Sequence, residues 1–246
     1  GDNAGGDDYN PNKNLSTYVA WLWKANGAAV SNTNGTITSQ VSANQTAGFS
    51  IVTYTGTGAN ATVGHGLGVA PKMMIVKKRT GAANDWRVWL GSFTGLEYLA
   101  LNLTDAKASN ATVWNSTVPT STVFSVGTAV GTNENTGTFV AYCFTDVPQY
   151  SKVFSLTGNA NADGTYVDLG FKAAFILLKC SSTTGNWYIF DTVRNTYNVL
   201  GEQLYPNLAN AGATVTTLDV TSRGFKLRLA GDPNAAQTYI GYAVAA

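Results

Sequence analysis

The sequence predicts an all-β protein made of two tandem, internally duplicated β-sandwich lobes, jelly-roll-like and of about 100 residues each, the usual size of such a domain. Three observations carry that prediction. One strand-like word occurs three times: Thr17-Tyr-Val-Ala-Trp-Leu-Trp23, Thr138-Phe-Val-Ala-Tyr-Cys-Phe144 and Thr238-Tyr-Ile-Gly-Tyr-Ala-Val244. Each copy opens on Thr and an aromatic, then a β-branched and a small residue, with a second aromatic at the fifth position, a pattern that suits a buried strand. The chain between the copies repeats at a nearly constant offset. Strand signals bounded by Gly, Asn or Pro recur along the chain, whereas amphipathic helical periodicity is nearly absent.

Taken in order, residues 1–16 are polar, with Gly, Asn and Asp and one Pro, and read as a flexible arm. Residues 17–48 hold the first copy of the word and a linker, with tight turns expected at Asn26-Gly27 and Asn34-Gly35. Within the linker, Thr36–Ser42 alternates weakly and suits an edge strand. Repeat one covers 49–147 and repeat two 148–246. Gly56 and Gly158 lie 102 apart (158 − 56), as do Lys77 and Lys179 (179 − 77). Trp86 and Trp187 lie 101 apart (187 − 86), and so do Phe124 and Phe225 (225 − 124). Drifts this small, confined to loops, are what tandem duplication predicts.

Strands are expected in repeat one near 49–55, 72–79, 86–90, 98–103, 111–114, 122–126 and 138–145. In repeat two they are expected near 152–157, 174–180, 187–191, 198–200, 215–220, 225–229 and 237–244. Met73–Val76 and Phe175–Leu178 are continuously apolar and should be central strands covered on both faces. The weak helical pattern at Asp191–Tyr197 reads as an irregular turn. The copy at 17–23 closes a repeat that is otherwise missing, so it is an orphan that must pair within the first lobe or with a neighbouring subunit. Tyr18, Trp21 and Trp23 make it a candidate assembly strand, since an exposed strand so rich in Trp invites pairing.

Composition narrows the function. Charged residues make up 12% of the 246, about half the usual share, and the net charge is +1. No basic run exists, so nothing recruits nucleic acid or an anionic membrane. No apolar stretch reaches the ~18 residues that span a bilayer, and no signal peptide is present. The abrupt start at Gly1 without Met reads as a fragment or a processed product. Cys143 and Cys180 read as two buried, unpaired thiols.

No catalytic residues, metal ligands or cofactor site are expected. His65 is the chain's single histidine and sits between glycines, as in a tight turn. The glycine-rich stretch 56–68 lacks the Gly-Lys-Ser/Thr ending of a phosphate loop. Asn159–Gly164 begins like a calcium loop, but Gly170 stands where the bidentate Glu belongs. Acids are scattered singly, with Asp85, Asp168 and Asp191 the nearest to a carboxylate pair. Tyr188, Tyr197 and Tyr205 with Asn195 and Asn198 form a polar aromatic group suited to stacking on sugars, and are the candidate glycan contacts.

Several strings are more specific: Ala20-Trp-Leu-Trp-Lys-Ala-Asn-Gly-Ala-Ala-Val-Ser-Asn32, Gly48-Phe-Ser-Ile-Val-Thr-Tyr-Thr-Gly56, Gly64-His-Gly-Leu-Gly-Val-Ala-Pro-Lys-Met73, Phe139-Val-Ala-Tyr-Cys-Phe144 and Asn186-Trp-Tyr-Ile189. Over residues 17–246 the chain resembles an uncharacterised tandem β-domain family of tail-fibre and other virion surface proteins of marine bacteriophages. The resemblance implies virion association and transfers no site residues. The expected function is therefore a structural, surface-exposed virion protein (tail fibre, appendage or decoration subunit) with a host-attachment role, and no enzyme activity. Its partners would be copies of itself, other virion proteins and a host-surface glycan, without nucleic acid or membrane insertion. The alternatives are a lectin-like carbohydrate-binding module, or an extracellular filament or adhesin subunit that assembles by strand donation.

Overall fold

The computed structural model describes residues 14–245. The arm expected over 1–16 lies outside them except for its last three residues. In the first half the strands are β1 (Val30–Asn32), β2 (Ser39–Asn44), β3 (Phe49–Thr55), β4 (Ala61–Gly64), β5 (Met73–Lys78), β6 (Arg87–Leu90), β7 (Glu97–Ala100), β8 (Ala108–Ser109), β9 (Val123–Val126) and β10 (Thr138–Phe144). Two single turns of helix, α1 (Ala111–Trp114) and α2 (Val130–Asn133), flank β9. The second half holds β11 (Ser151–Thr157), β12 (Tyr166–Asp168), β13 (Ala173–Cys180), β14 (Trp187–Asp191), β15 (Leu200–Gln203), β16 (Ala213–Val220), β17 (Gly224–Leu227) and β18 (Thr238–Ala245). The protein is all-β, and every ladder between named strands is antiparallel.

The same strand order occurs in both halves. β10 inserts between β3 and β5, with β6 beyond; β18 inserts between β11 and β13, with β14 beyond. The smaller pairs also correspond, β4 with β9 and β12 with β17. The two later copies of the recurring word are thus central strands, each bonded on both sides. Their slots are filled, so the first copy has no equivalent place in this chain.

Side-chain hydrogen bonds recur with the strands. The Asn133 side chain accepts from Thr57 N (2.8 Å) and donates to the Ala59 and Gly127 carbonyls (2.6 and 2.8 Å). Asn234 does the same work in the second half, accepting from Asn159 N (3.2 Å) and donating to the Asn161 and Leu229 carbonyls (2.9 and 2.6 Å). Lys77 donates to the Asn84 carbonyl and Lys179 to the Gly185 carbonyl, so each lysine ties down the loop ahead of a tryptophan. Gly56 and Gly158 are landmarks for a steric reason. A Cβ would sit 2.3 Å from the Glu134 carbonyl oxygen at Gly56, and 2.0 Å from that of Ala235 at Gly158.

Alternation along the central strands builds four layers. In β10, Phe139, Ala141 and Cys143 face the β4–β9 pair and the helices, while Tyr142 and Phe144 face the second half. In β13, Phe175 and Leu177 face the first half, whereas Ile176 and Leu178 face β12, β17, β16 and β15. Ring contacts join the layers: Tyr54 to Phe124 at 6.0 Å, Phe144 to Tyr242 at 5.1 Å and Phe154 to Phe225 at 5.4 Å. Fully burying one such side chain contributes about 1.5–3 kcal/mol, which is why both central sheets read as continuous apolar runs.

Three expectations are corrected. Residues 111–114 form the helical turn α1, because the Asn110 side chain accepts from Thr112 N (2.9 Å) and caps it. The edge strand expected over Thr36–Ser42 is instead an inner strand, β2, that starts at Ser39 and has β1 outside it. The segment Thr17–Trp23 joins no ladder and forms neither strand nor helix. Its alternation survives: Trp21, Trp23 and Ala25 pack against the core, and Leu22 points outward, 91% exposed. Tryptophan burial on a sheet face takes the place of backbone pairing at a sheet edge.

Candidate functional site

An apolar concavity lies where residues 17–26, the N-terminal arm of the described chain, meet the two central sheets. It has a volume of about 440 Å³ and three walls. β3, β5 and β10 give one wall through Ile51, Ile75 and Tyr142; β13, β14 and β18 give the second through Leu177, Ile189 and Tyr242. The arm is the third. Trp23 meets Phe175 edge-on at 5.3 Å and Phe144 at 6.0 Å, and Trp21 meets Phe175 at 5.8 Å. Beyond the tryptophans the arm is tethered to β2, where Asn26 N donates to Ser42 Oγ (3.1 Å) and Asn44 Nδ2 to the Lys24 carbonyl (3.1 Å). Of the candidate assembly residues, Trp21 and Trp23 therefore pack within their own chain, and Tyr18 lies outside the groove, 55% exposed.

The candidate glycan contacts divide into two groups. Asn195, Tyr197 and Asn198 line a shallow pocket with Lys172. Both asparagines serve the backbone there. Asn195 Oδ1 accepts from Gly201 N and Glu202 N (3.1 and 2.7 Å), and Asn198 bonds both N and O of Val220 (2.9 and 2.8 Å). Tyr197 projects into solvent, 85% exposed. Tyr188 and Tyr205 lie elsewhere, with rings 5.5 Å apart. Tyr188 is buried and donates to Asp232 Oδ2 (2.6 Å), and the Tyr205 hydroxyl accepts from Gln203 Nε2 (2.5 Å).

The remaining reactive side chains are held structurally. His65 is buried, accepts from Leu67 N at Nδ1 (3.3 Å) and donates from Nε2 to the Thr120 carbonyl (3.1 Å). Burial pulls its pKa below 6.5, against that hydrogen bond. A depressed folded value means that the unfolded chain takes up the proton first, so stability falls as pH drops below about 6.5. Thermal melts of the native protein should show this fall, and His65→Gln should remove the part that begins near 6.5. A variant with an unchanged profile there would contradict the assignment.

Asp85, Asp168 and Asp191 each meet an arginine: Arg87 at 3.2 Å, Arg223 at 3.1 Å and Arg194 at 2.6 Å. In the calcium-like loop, Asp163 pairs with Lys226, and the side chains of Asn159 and Asn161 accept from the backbone two residues on. Among the described residues no three His, Cys, Asp or Glu side chains converge in a metal-binding group, and no helix is long and apolar enough to cross a membrane. Cys143 and Cys180 are free and buried, and burial pushes the Cys143 thiol up to about 12.

Burial also raises four tyrosines. Tyr54, Tyr188 and Tyr239 move well above the ordinary 10.0, and Tyr242 is pushed up to about 12. A raised folded value gives stability that is complete below pH 10 and is lost as pH climbs beyond it, because only the unfolded chain ionises readily. Alkaline unfolding should therefore be steep. Phenolate absorbance should show these four silent until the circular dichroism signal collapses; smooth titration of all twelve tyrosines with the fold intact would contradict it.

Sequence reasoning missed the groove. Its only signal was the alternation that places Met73, Ile75 and Phe175, Leu177 on outward faces of two separate sheets, with no hint that those faces meet. Searches of curated proteins and of solved structures each gave no match. The family model described as a domain of unknown function (DUF7483) matches residues 2–246. With nearly its whole length matched, the chain belongs to the DUF7483 family.

Proposed function

We propose that the protein is a structural, surface-exposed subunit of a bacteriophage virion: a tail fibre, appendage or decoration subunit that also touches the host. The observation that carries this reading is how the charges are used. The acids Asp85, Asp168, Asp191, Asp219 and Glu97 are each matched to a lysine or arginine rather than to one another. Such a surface suits a body whose work is shape and assembly. The four apolar layers and the hydrogen bonds common to both halves support a rigid module built by tandem duplication. The resemblance of the recurring strings to tail-fibre domains supports the virion location, and an extracellular filament is the alternative. Partners are then copies of itself and other virion proteins.

Tyr197 favours the host contact, being an exposed ring beside Lys172. The glycan reading rests on that side chain, since Asn195 and Asn198 are engaged by the backbone. Strand donation by the arm would require Trp21 and Trp23 to leave their seats. Gradient-purified virions from a producing culture test the main reading, probed by mass spectrometry and by gold-labelled antibody against the chain. A fixed copy number and label on surface structures are expected. Retention of the protein in the cell fraction, with none in virions, would overturn it.

A further inference from the structure

An ammonium group lies over the ring of Trp86, one of the residues that line the groove. On β5, Met73, Ile75 and Lys77 share one face, and the first two line the cavity. Lys77 Nζ sits 5.5 Å from the ring centre of Trp86, another lining residue, and donates to the Asn84 carbonyl. Among the described residues Lys77 has no carboxylate partner, and two of its three N–H groups have no protein acceptor.

Its counterpart in the second half differs. Lys179 is fully buried and donates to two carbonyls, of Thr104 (3.1 Å) and Gly185 (2.9 Å). Arg194, whose guanidinium lies 5.8 Å from the Trp21 ring on the arm, is already matched to Asp191. Among the described residues, Lys77 thus stands uncompensated beside an aromatic and aliphatic slot.

We propose that this groove binds a long-chain fatty acid, its carboxylate on Lys77 and its alkyl tail between the two sheets. A volume of about 440 Å³ lies within the roughly 300–1,000 Å³ range of small-ligand sites. Walls on three sides admit a single flexible chain more readily than a folded partner. A lone lysine matches one negative charge, hence a carboxylate rather than a dianionic head. The head would replace water on the ammonium with a charge-assisted hydrogen bond, and the tail would remove apolar lining from water. This inference is independent of the virion reading, because it concerns the isolated chain.

The test uses purified protein and cis-parinarate, a fluorescent long-chain carboxylate excited by energy transfer from the groove tryptophans. The wild type should bind one probe per chain, saturably. Palmitate should displace the probe roughly tenfold better than hexadecan-1-ol, a ratio set by the head group. Lys77→Met should leave the alcohol's competition intact and remove the acid's advantage. Ile75→Trp should fill the groove and abolish probe binding while circular dichroism stays native, and Ile189→Phe gives a second, milder filling. Absence of saturable binding to the wild type would overturn the proposal, as would equal competition by acid and alcohol. So would retained binding in folded groove-filled variants. If native mass spectrometry shows a probe-free dimer that Ile75→Trp converts to monomer, the groove is an interface between copies, and the proposal fails.

Discussion

Trp187→Ala should be among the most damaging single changes in this protein, lowering stability by about 3–5 kcal/mol, the range for emptying a large aromatic site. The side chain is fully buried, packs in the core shared by the two halves, and donates from Nε1 to the Ala100 carbonyl across the layers (2.9 Å). Its removal opens a cavity and leaves that carbonyl without its indole partner. Trp86 in the first half makes the same backbone bond: its N–H donates to Asn102 Oδ1, as that of Trp187 does to Asn207 Oδ1. Yet Trp86 is only half-buried at the groove, so Trp86→Ala should cost roughly 1–2 kcal/mol. Denaturant midpoints of the two variants measure the difference. Equal losses would mean that Trp187 does not seal the contact between the halves.

Asn133→Ala and Asn234→Ala should each cost roughly 3–4 kcal/mol, although neither residue is apolar. Both side chains are completely buried. Each holds one backbone N–H and one carbonyl of the loop after β3 or β11 and a second carbonyl in its own connection after β9 or β17, and an unmet buried group costs about 1–3 kcal/mol. Asn133→Asp is the sharper probe. It keeps the shape and the acceptor for Thr57 N but replaces the donor to Ala59 and Gly127 with an oxygen, so it should destabilise at least as much as alanine at neutral pH. Urea titrations with unchanged slopes would assign the loss to the native state. An aspartate variant as stable as the parent would show that the two donated bonds contribute nothing.

The sequence and the structure agree where local pattern and burial act together. Met73–Val76 and Phe175–Leu178 lie in central strands covered on both faces, because a run with no polar side has only that place to go. The offset from Gly56 to Gly158 was legible because each glycine admits a carbonyl where a Cβ would collide. Residues 111–114 were misread because Ala-Thr-Val-Trp has strand-forming composition, and one Asn110 cap decided the turn. The polar aromatic group was grouped by nearness in sequence. Tyr188 instead faces the core from β14, and Tyr197 follows in a turn that leaves it in solvent.

By itself the sequence determined an all-β chain and the apolar runs of the central strands, because these follow from side-chain period and turn residues. The tertiary structure decided what those faces meet. It set two outward faces against each other, buried Trp187 while leaving Trp86 half-buried at the groove, and left Lys77 with no counter-ion among the described residues. It also laid Trp21 and Trp23 on a sheet face instead of in a ladder. An alternating aromatic segment satisfies either arrangement locally. Only the filling of both central slots by β10 and β18 excludes it from one of them.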